Sequence, residues 1–109
     1  MGISFAITAY NEHEELQVLL NQLEQIAKSD DEIVIQLDSK ATPEVLSLVD
    51  QFTTKSFDFT LKKCVFDLNN HFADFKNNLK SYCTKDWVFQ IDADETLSET
   101  FSRVIHEVL

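Results

Sequence analysis

The chain has 109 residues, 44% of them hydrophobic and 26% charged, which fits one small globular domain spanning residues 1–109. Nineteen acidic and nine basic side chains give a net charge of −10, so the long-range field that would attract nucleic acid or an anionic membrane is absent. A small phosphorylated ligand would need a metal ion or a few locally placed cations. The single Gly and single Pro exclude phosphate-binding loops built on several glycines.

The first residues lack the pattern of a signal peptide, and no apolar run approaches the roughly 20 residues that cross a bilayer. We therefore expect a cytoplasmic protein without a transmembrane segment. Cys64 and Cys83 are far apart in sequence and have no His at ligand spacing, so reduced thiols are expected rather than a zinc site or a disulfide. Trp87 and the nine Phe are expected to build an aromatic core.

Strand and helix patterns alternate from the first residues onward. The apolar run at 3–8 predicts a strand, and Leu residues at helical spacing predict a helix that ends near Lys28. We expect Asn11 to cap this helix and Glu14 to complete a capping box. The first unit is therefore a strand followed by an amphipathic helix.

The same unit then recurs. Residues 33–38 predict the second strand, and Thr42 and Pro43 provide a cap and a first-turn proline for the second helix. A third strand is expected within residues 57–66. The third helix is marked by apolar residues at helical spacing: Phe72, Phe75, Leu79 and Tyr82.

Residues 87–92 predict a fourth strand, and a closing helix is expected to begin near Ser98. Four alternations of strand and helix predict an α/β fold, with an open, mostly parallel sheet and helices on both faces. In such sheets, ligands bind beyond the carboxyl ends of the strands, where the strand order reverses. This rule places three segments on one rim: residues 9–12, 38–40 and 92–95.

Acidic residues are concentrated at the end of the fourth strand, where Asp92, Asp94 and Glu95 lie within four positions. Two carboxylates at i and i+2 can face a common point if the chain bends, and Mg²⁺ and Mn²⁺ prefer carboxylate oxygens. A bound ion would neutralise the acids and attract phosphate oxygens. Acidic pairs of this kind also occur as solvated turns, so the spacing leaves both interpretations open.

Two other chemistries compete for this acidic segment. A calcium loop of the EF-hand type is excluded, because Leu97 and Arg103 stand where that loop needs Gly and Glu. The segment also resembles the first motif of the haloacid-dehalogenase-type phosphatases, in which Asp92 would be the phosphoryl nucleophile. The supporting motifs of that family follow over many residues, whereas the sequence ends at Leu109.

Nearly the whole chain, segment by segment, resembles the N-terminal half of glycosyltransferase family 2, whose fold is called GT-A. The resemblance is carried in order by ISFAITAYNEHEEL, IVIQLDS and FADFKNNLKSYCTKDWVFQIDADE. It implies a Rossmann-like half-domain that binds a nucleotide-diphosphate sugar, UDP- or GDP-linked. It also implies Mn²⁺ or Mg²⁺ at an Asp-x-Asp motif and transfer of the sugar to an acceptor that the sequence does not identify.

The resemblance also implies roles for individual residues. Asp38 would accept a hydrogen bond from the base, Asp92 would lie near the ribose and the metal, and Asp94 would be the main metal contact. Lys76 stands where the family usually has arginine, and lysine cannot make the planar two-point contact with phosphate. The complete nucleotide-sugar-binding set is Ala9, Tyr10, Glu12, Asp38, Lys76 and Asp92, and the metal ligands are Asp92 and Asp94.

Simpler interpretations of several of these residues remain open. Glu12 is equally well explained as a partner of the helix dipole. Lys76, without the resemblance, is better explained as a solvated cation on a helix. Tyr10 could simply cover the end of the sheet.

The chain also departs from the family in the residues needed for catalysis. Displacement at the anomeric carbon with inversion needs a general base for the acceptor hydroxyl, and the family supplies that acid beyond the Asp-x-Asp strand. We therefore expect the catalytic base and the acceptor half to be absent, and the chain to be inactive alone. The alternative function is a non-catalytic nucleotide-sugar-binding or assembly module. An exposed sheet edge would favour self-association.

Overall fold

The computed structural model describes residues 2–67 and 72–92. The closing helix predicted near Ser98 and the predicted metal ligand Asp94 lie outside these residues. The strands and helices alternate as expected. In chain order they are β1 (Ile3–Ala9), α1 (His13–Ile26), β2 (Glu32–Asp38), α2 (Pro43–Thr53), β3 (Thr60–Phe66), α3 (Phe72–Ser81) and β4 (Trp87–Asp92).

The strands form one parallel sheet in the order β3-β2-β1-β4. Parallel neighbours need crossover connections, and each connection here contains a helix. The prediction of an α/β fold with an open parallel sheet and helices on both faces is thereby confirmed. The third strand, whose register the sequence left uncertain, pairs Thr60 with Glu32 and Phe66 with Asp38.

One face of the sheet carries the main apolar core. Alternate residues of β1 and β2, including Phe5, Ile7, Ile33 and Ile35, pack there against α1 and α2 and are fully buried. The four buried leucines of α1 lie in the same cluster. This apolar layer is expected to supply most of the stability of the fold, because burial of large aliphatic side chains is the dominant favourable contribution to folding.

The opposite face, covered by α3, is more polar. Its apolar centre is a small cluster of Ala6, Val34 and Leu79. Buried polar residues flank this cluster along the same strands: Ser4, Glu32 and Gln36. Helix α3 is therefore held by a mixture of apolar packing and specific hydrogen bonds.

The N-terminus of α2 is capped as the sequence predicts, whereas that of α1 is not. Thr42 caps α2 as predicted, its Oγ1 accepting from Val45 N, and Pro43 is the first helical residue. The capping box predicted from Asn11 and Glu14 is wrong: the N-cap is Glu12, and it makes no side-chain cap bond. The Glu12 carboxylate is turned back toward the amides of the preceding turn, where it accepts two hydrogen bonds.

A buried carboxylate joins several elements at the amino end of the sheet. Glu32, 1% exposed, accepts from Ser4 Oγ at 2.5 Å and from Thr84 N at 2.6 Å, and it pairs with Lys62 Nζ at 2.8 Å. Burial raises the pKa of Glu32, but the bonds from Lys62, Ser4 and Thr84 outweigh burial and lower this pKa from 4.5 to about 2. The ionised carboxylate therefore links β1, β2, β3 and the α3–β4 loop.

Two other expectations have mixed outcomes. Cys64 and Cys83 are both free thiols, as predicted, and burial raises the pKa of each. Trp87 is not a core residue: 46% of it is exposed, because it opens β4 at one edge of the described sheet.

Within the described residues, no helix has the length and apolar character needed to span a bilayer.

Candidate functional site

The reversal of strand order lies between β1 and β4. Successive strands add on one side of β1 up to β3, and the chain then returns to place β4 on the other side. The carboxyl ends of the two strands meet there, with Thr8 paired to Asp92. On the other flank, Ala9 pairs with Leu37, the residue before Asp38. The backbone thus brings Ala9, Asp38 and Asp92 to one rim, as the sequence predicted.

Lys76 belongs to the same region through a small pocket between α3 and the sheet. Thr8 and Gln90 line this pocket beside Lys76, together with Ala6, Leu79 and Ile91. Lys76 is exposed, so its ammonium group is accessible from solvent. Since Thr8 is paired with Asp92, the structure places this cation close to the end of β4.

The turn after β1 is shaped by Glu12. One carboxylate oxygen, Oε1, accepts from Tyr10 N at 2.9 Å and from Asn11 N at 2.6 Å. Tyr10 O in turn accepts from Thr42 N at 2.9 Å. These bonds fix the turn to the loop that follows β2 and leave the Tyr10 side chain 45% exposed at the rim. An exposed aromatic ring on an ordered turn suits stacking against a planar group.

Asp38 ends β2 beside this turn. The residue is 9% exposed, and its backbone carbonyl accepts from Ala41 N at 2.9 Å, which closes the turn toward α2. Asp38 and the first strand's turn therefore border the same loop. A carboxylate at the border of the rim can accept hydrogen bonds from a ligand.

Gln36, two residues before Asp38, connects β2 to α3. It is completely buried, its Nε2 donates to Phe75 O at 2.6 Å, and its Oε1 accepts from Asn78 Nδ2 at 2.7 Å. Gln90, in contrast, has a buried Nε2 without a hydrogen-bond partner among the residues described. Gln90 also lines the pocket beside Lys76.

One of the two predicted metal ligands lies within the described residues. Asp92 ends β4 at the reversal of strand order, which is a suitable place for an ion that binds phosphate. Its expected partner Asp94 lies outside the described residues. Among residues 2–67 and 72–92, no group of three His, Cys, Asp or Glu side chains is arranged to hold a metal.

Sequence reasoning missed the residues that support this rim from below. Thr8, Gln36 and Gln90 are polar residues within apolar strands, and this departure from a continuous apolar run was the available signal. Strand alternation could have assigned Gln36 and Asp38 to one face. The partners on α3 could not be identified, because they depend on how that helix packs.

Comparison with known proteins agrees with the α/β fold. Residues 4–108 match the model of glycosyl transferase family 2. Among solved structures, S. aureus TarS 1–349 in complex with UDP is 21% identical, with a TM-score of 0.77, and the match covers 99% of this chain and 32% of that one. No curated protein matches the sequence.

Two further structures of S. aureus TarS 1–349 give the same result. One is 19% identical with a TM-score of 0.78, covering 99% of this chain and 31% of that chain. The other, in complex with UDP-GlcNAc, is 17% identical with a TM-score of 0.76, covering 99% and 30%. The chain thus spans about a third of the length of these structures and shares their fold. With the family model matching nearly from end to end, the chain belongs to glycosyl transferase family 2.

Proposed function

We propose that this chain binds a nucleotide-diphosphate sugar, UDP-linked, where β1 and β4 separate, and that it is the donor-binding part of an inverting glycosyltransferase. The observation that carries the proposal is that Thr8 pairs with Asp92 at the reversal of strand order and lines the same pocket as Lys76. An acidic strand end and an accessible cation at this crevice suit a diphosphate held together with a divalent ion. The UDP and UDP-GlcNAc in the TarS structures support a uridine donor.

The nucleoside end of the donor would lie on the turn after β1 and beside β2. Tyr10 offers an exposed ring for the base, and Asp38 offers an acceptor for a base N–H. In this arrangement Ala9 and Glu12 border the ribose. The oxygen Oε1 of Glu12 already accepts two backbone amides, so Glu12 would contribute mainly by holding the Tyr10 turn in place.

The diphosphate would lie toward Asp92, Asp94 and Lys76. We assign Asp92 and Asp94 as ligands of Mn²⁺ or Mg²⁺, which when bound would neutralise charge on the diphosphate as it leaves. Lys76 would supply a second positive charge from α3. The helix α1 N-terminus is a poor alternative phosphate site, because Glu14 and Glu15 occupy its first turn.

In the transfer reaction, an acceptor hydroxyl oxygen would form a bond to the anomeric carbon while the bond from that carbon to the β-phosphate oxygen breaks. The electron pair of the broken bond leaves with UDP, and the hydroxyl proton passes to a general base. No residue of the donor-binding rim is assigned to that base. The rim residues instead hold and orient the donor.

Calorimetry with UDP and Mn²⁺ tests the binding site. The wild-type chain should bind, Asp94→Ala should abolish metal-dependent binding, and Lys76→Met should weaken binding by roughly tenfold or more, since hydrogen bonds to charged groups contribute about 1.5–3 kcal/mol. Lys80→Met is the matched control, one turn along the exposed side of α3, and should bind as wild type does. The proposal would be refuted if the wild-type chain did not bind UDP, or if Asp94→Ala bound UDP with unchanged affinity.

A measurement of sugar transfer tests the first alternative, a non-catalytic binding module. A non-catalytic binding module predicts UDP binding without turnover, so sugar transfer from UDP-GlcNAc by the purified chain would reject it. The phosphatase alternative is not favoured, because the family model that matches is that of a glycosyl transferase.

A further inference from the structure

We infer that Gln36 is a positioning residue for the diphosphate end of the donor, acting through Lys76. This inference rests on the proposed function and extends it to a buried residue that would not touch the ligand. Gln36 lies on β2 under α3, whereas Lys76 is exposed on α3 beside the rim. The link between them is a set of hydrogen bonds around one turn of α3.

The hydrogen bonds of Gln36 bracket Lys76 along the helix. The Nε2 group donates to the carbonyl of Phe75, the residue before Lys76, at 2.6 Å. The Oε1 atom accepts from Asn78, two residues after Lys76, at 2.7 Å. A third bond, from Cys64 Sγ to the same oxygen at 3.6 Å, ties β3 into the group. One buried side chain thus fixes the helical turn that carries the cation.

Apolar packing alone would hold this turn less precisely. Among the described residues, the cluster under α3 is small, consisting of Ala6, Val34 and Leu79 with Cys83 packed against them, whereas the opposite face of the sheet has an extensive apolar core. Phe75 adds an edge contact with Phe66, the ring centroids being 6.2 Å apart. Apolar contacts resist separation but tolerate sliding and rotation, whereas short hydrogen bonds to a buried amide specify position.

The position of this turn matters for the proposed site. Lys76 lines the pocket that also contains Thr8, the register partner of Asp92. A cation binds a diphosphate most strongly when its donor atoms lie within hydrogen-bond distance of the oxygens. Rotation or sliding of α3 by about 1 Å would therefore weaken the phosphate contact while leaving the base-binding turn at Tyr10 and Asp38 unaffected.

The test compares uridine with UDP, both titrated with Mg²⁺ present and followed by NMR. Gln36→Met keeps the approximate shape of the side chain but removes its donor and its amide acceptor. It should lower UDP affinity about tenfold, equal to about 1.4 kcal/mol, and change uridine affinity less than about twofold, within the scatter expected of independent sites. A purely structural role for Gln36 would lower both affinities together or neither.

A double-mutant cycle supplies the second readout. If Gln36 acts through Lys76, then Gln36→Met should cost little further UDP affinity once Lys76→Met is present. Additive losses would overturn the inference. A wild-type chain that fails to bind UDP would refute the proposed function and this inference with it. Wild-type binding with no selective loss in the variants would refute the inference alone.

If Gln36→Met does not fold, Asn78→Ala is the variant to use. Asn78 donates to Gln36 from α3 and is only half-buried, so its substitution leaves the side chains of the sheet unchanged. Asn78→Ala should lower the affinity for UDP and leave the affinity for uridine nearly unchanged. Asn77→Ala, at the exposed neighbouring residue, should change neither affinity. Equal effects of Asn78→Ala on uridine and UDP, or no effect on either, would overturn the role assigned to Gln36.

Discussion

Glu32 carries a buried negative charge far from the proposed donor site. Its carboxylate is neutralised by Lys62 and accepts hydrogen bonds from Ser4 and Thr84. Breaking such a pair from one side is strongly destabilising, because the remaining group loses its partner in a poorly solvated place. The four groups come from separate parts of the chain, so this single residue contributes to the alignment of the strands at their amino ends.

The lowered pKa of Glu32 predicts how stability depends on pH. Because the folded-state pKa, about 2, lies below the ordinary value of 4.5, this residue's contribution is fully present above pH 4.5 and is lost as the pH falls to about 2. The contribution is on the order of 3 kcal/mol. The difference in free energy of unfolding between wild type and Glu32→Gln, from urea titrations, should therefore be largest near pH 7 and shrink below pH 4.5.

Asp58→Asn, which changes an exposed carboxylate, serves as the control and should show no such pH-dependent difference from wild type. If the Glu32→Gln difference were as large at pH 3 as at pH 7, ionisation of Glu32 would not be the source of the stability.

At the scale of elements, the loops after β1 and β2 form one unit. Thr42 begins α2 with a side-chain cap, and its backbone amide donates to Tyr10 O in the neighbouring loop. The cap holds α2 in register with the rim, and the amide bond ties the Tyr10 turn to it. The geometry of the proposed base-binding region thus depends on where a helix starts.

Thr42→Ala should remove the cap and keep the backbone bond. The expected cost is about 1 kcal/mol of stability, the usual effect of losing a threonine cap, and thermal unfolding would show it as a lower Tm. Ser47→Ala, an exposed change in the middle of the same helix, should leave stability nearly unchanged or slightly increased. Equal Tm values for wild type and Thr42→Ala would contradict the capping role.

At the scale of the whole molecule, the edge of the described sheet at β4 is where we expect self-association. Among the described residues β4 pairs only with β1. Trp87 N donates toward Gly2 O of the β1 side, so the amide of the next residue, Val88, faces away from β1 because successive strand residues alternate. Val88 and Trp87 are also among the exposed large hydrophobic residues. The self-association expected from the sequence stays a prediction with a defined location.

Val88→Pro tests that location, because proline removes an edge donor without touching the hydrogen bonds between β1 and β4. In analytical ultracentrifugation, the apparent molecular mass of the wild type should rise with protein concentration, whereas the variant should stay monomeric. The circular dichroism spectrum of the variant should be that of the wild type. Val65→Pro, in the strand β3 at the opposite edge of the described sheet, is the variant with which Val88→Pro is compared. A wild-type chain that is monomeric at every concentration would show the prediction to be wrong.

Much of this protein follows from the sequence alone. The alternation of strand and helix, the α/β class and the rim bearing Ala9, Asp38 and Asp92 were predictable, because apolar periodicity and the rule for parallel sheets depend on local pattern and topology. The Thr42 cap was likewise local. The roles of Asp94 and of the metal stay predictions.

Only the tertiary structure decided which distant groups meet. Glu12 turned out to bind the Tyr10 and Asn11 amides, in place of the predicted Asn11 cap, since the path of the turn determines which oxygen reaches which amide. Trp87 is exposed because β4 lies at an edge of the described sheet. The bonds from Gln36 to α3 span about 40 residues of sequence. Contacts of that kind arise from helix packing and leave no periodic signal in the sequence.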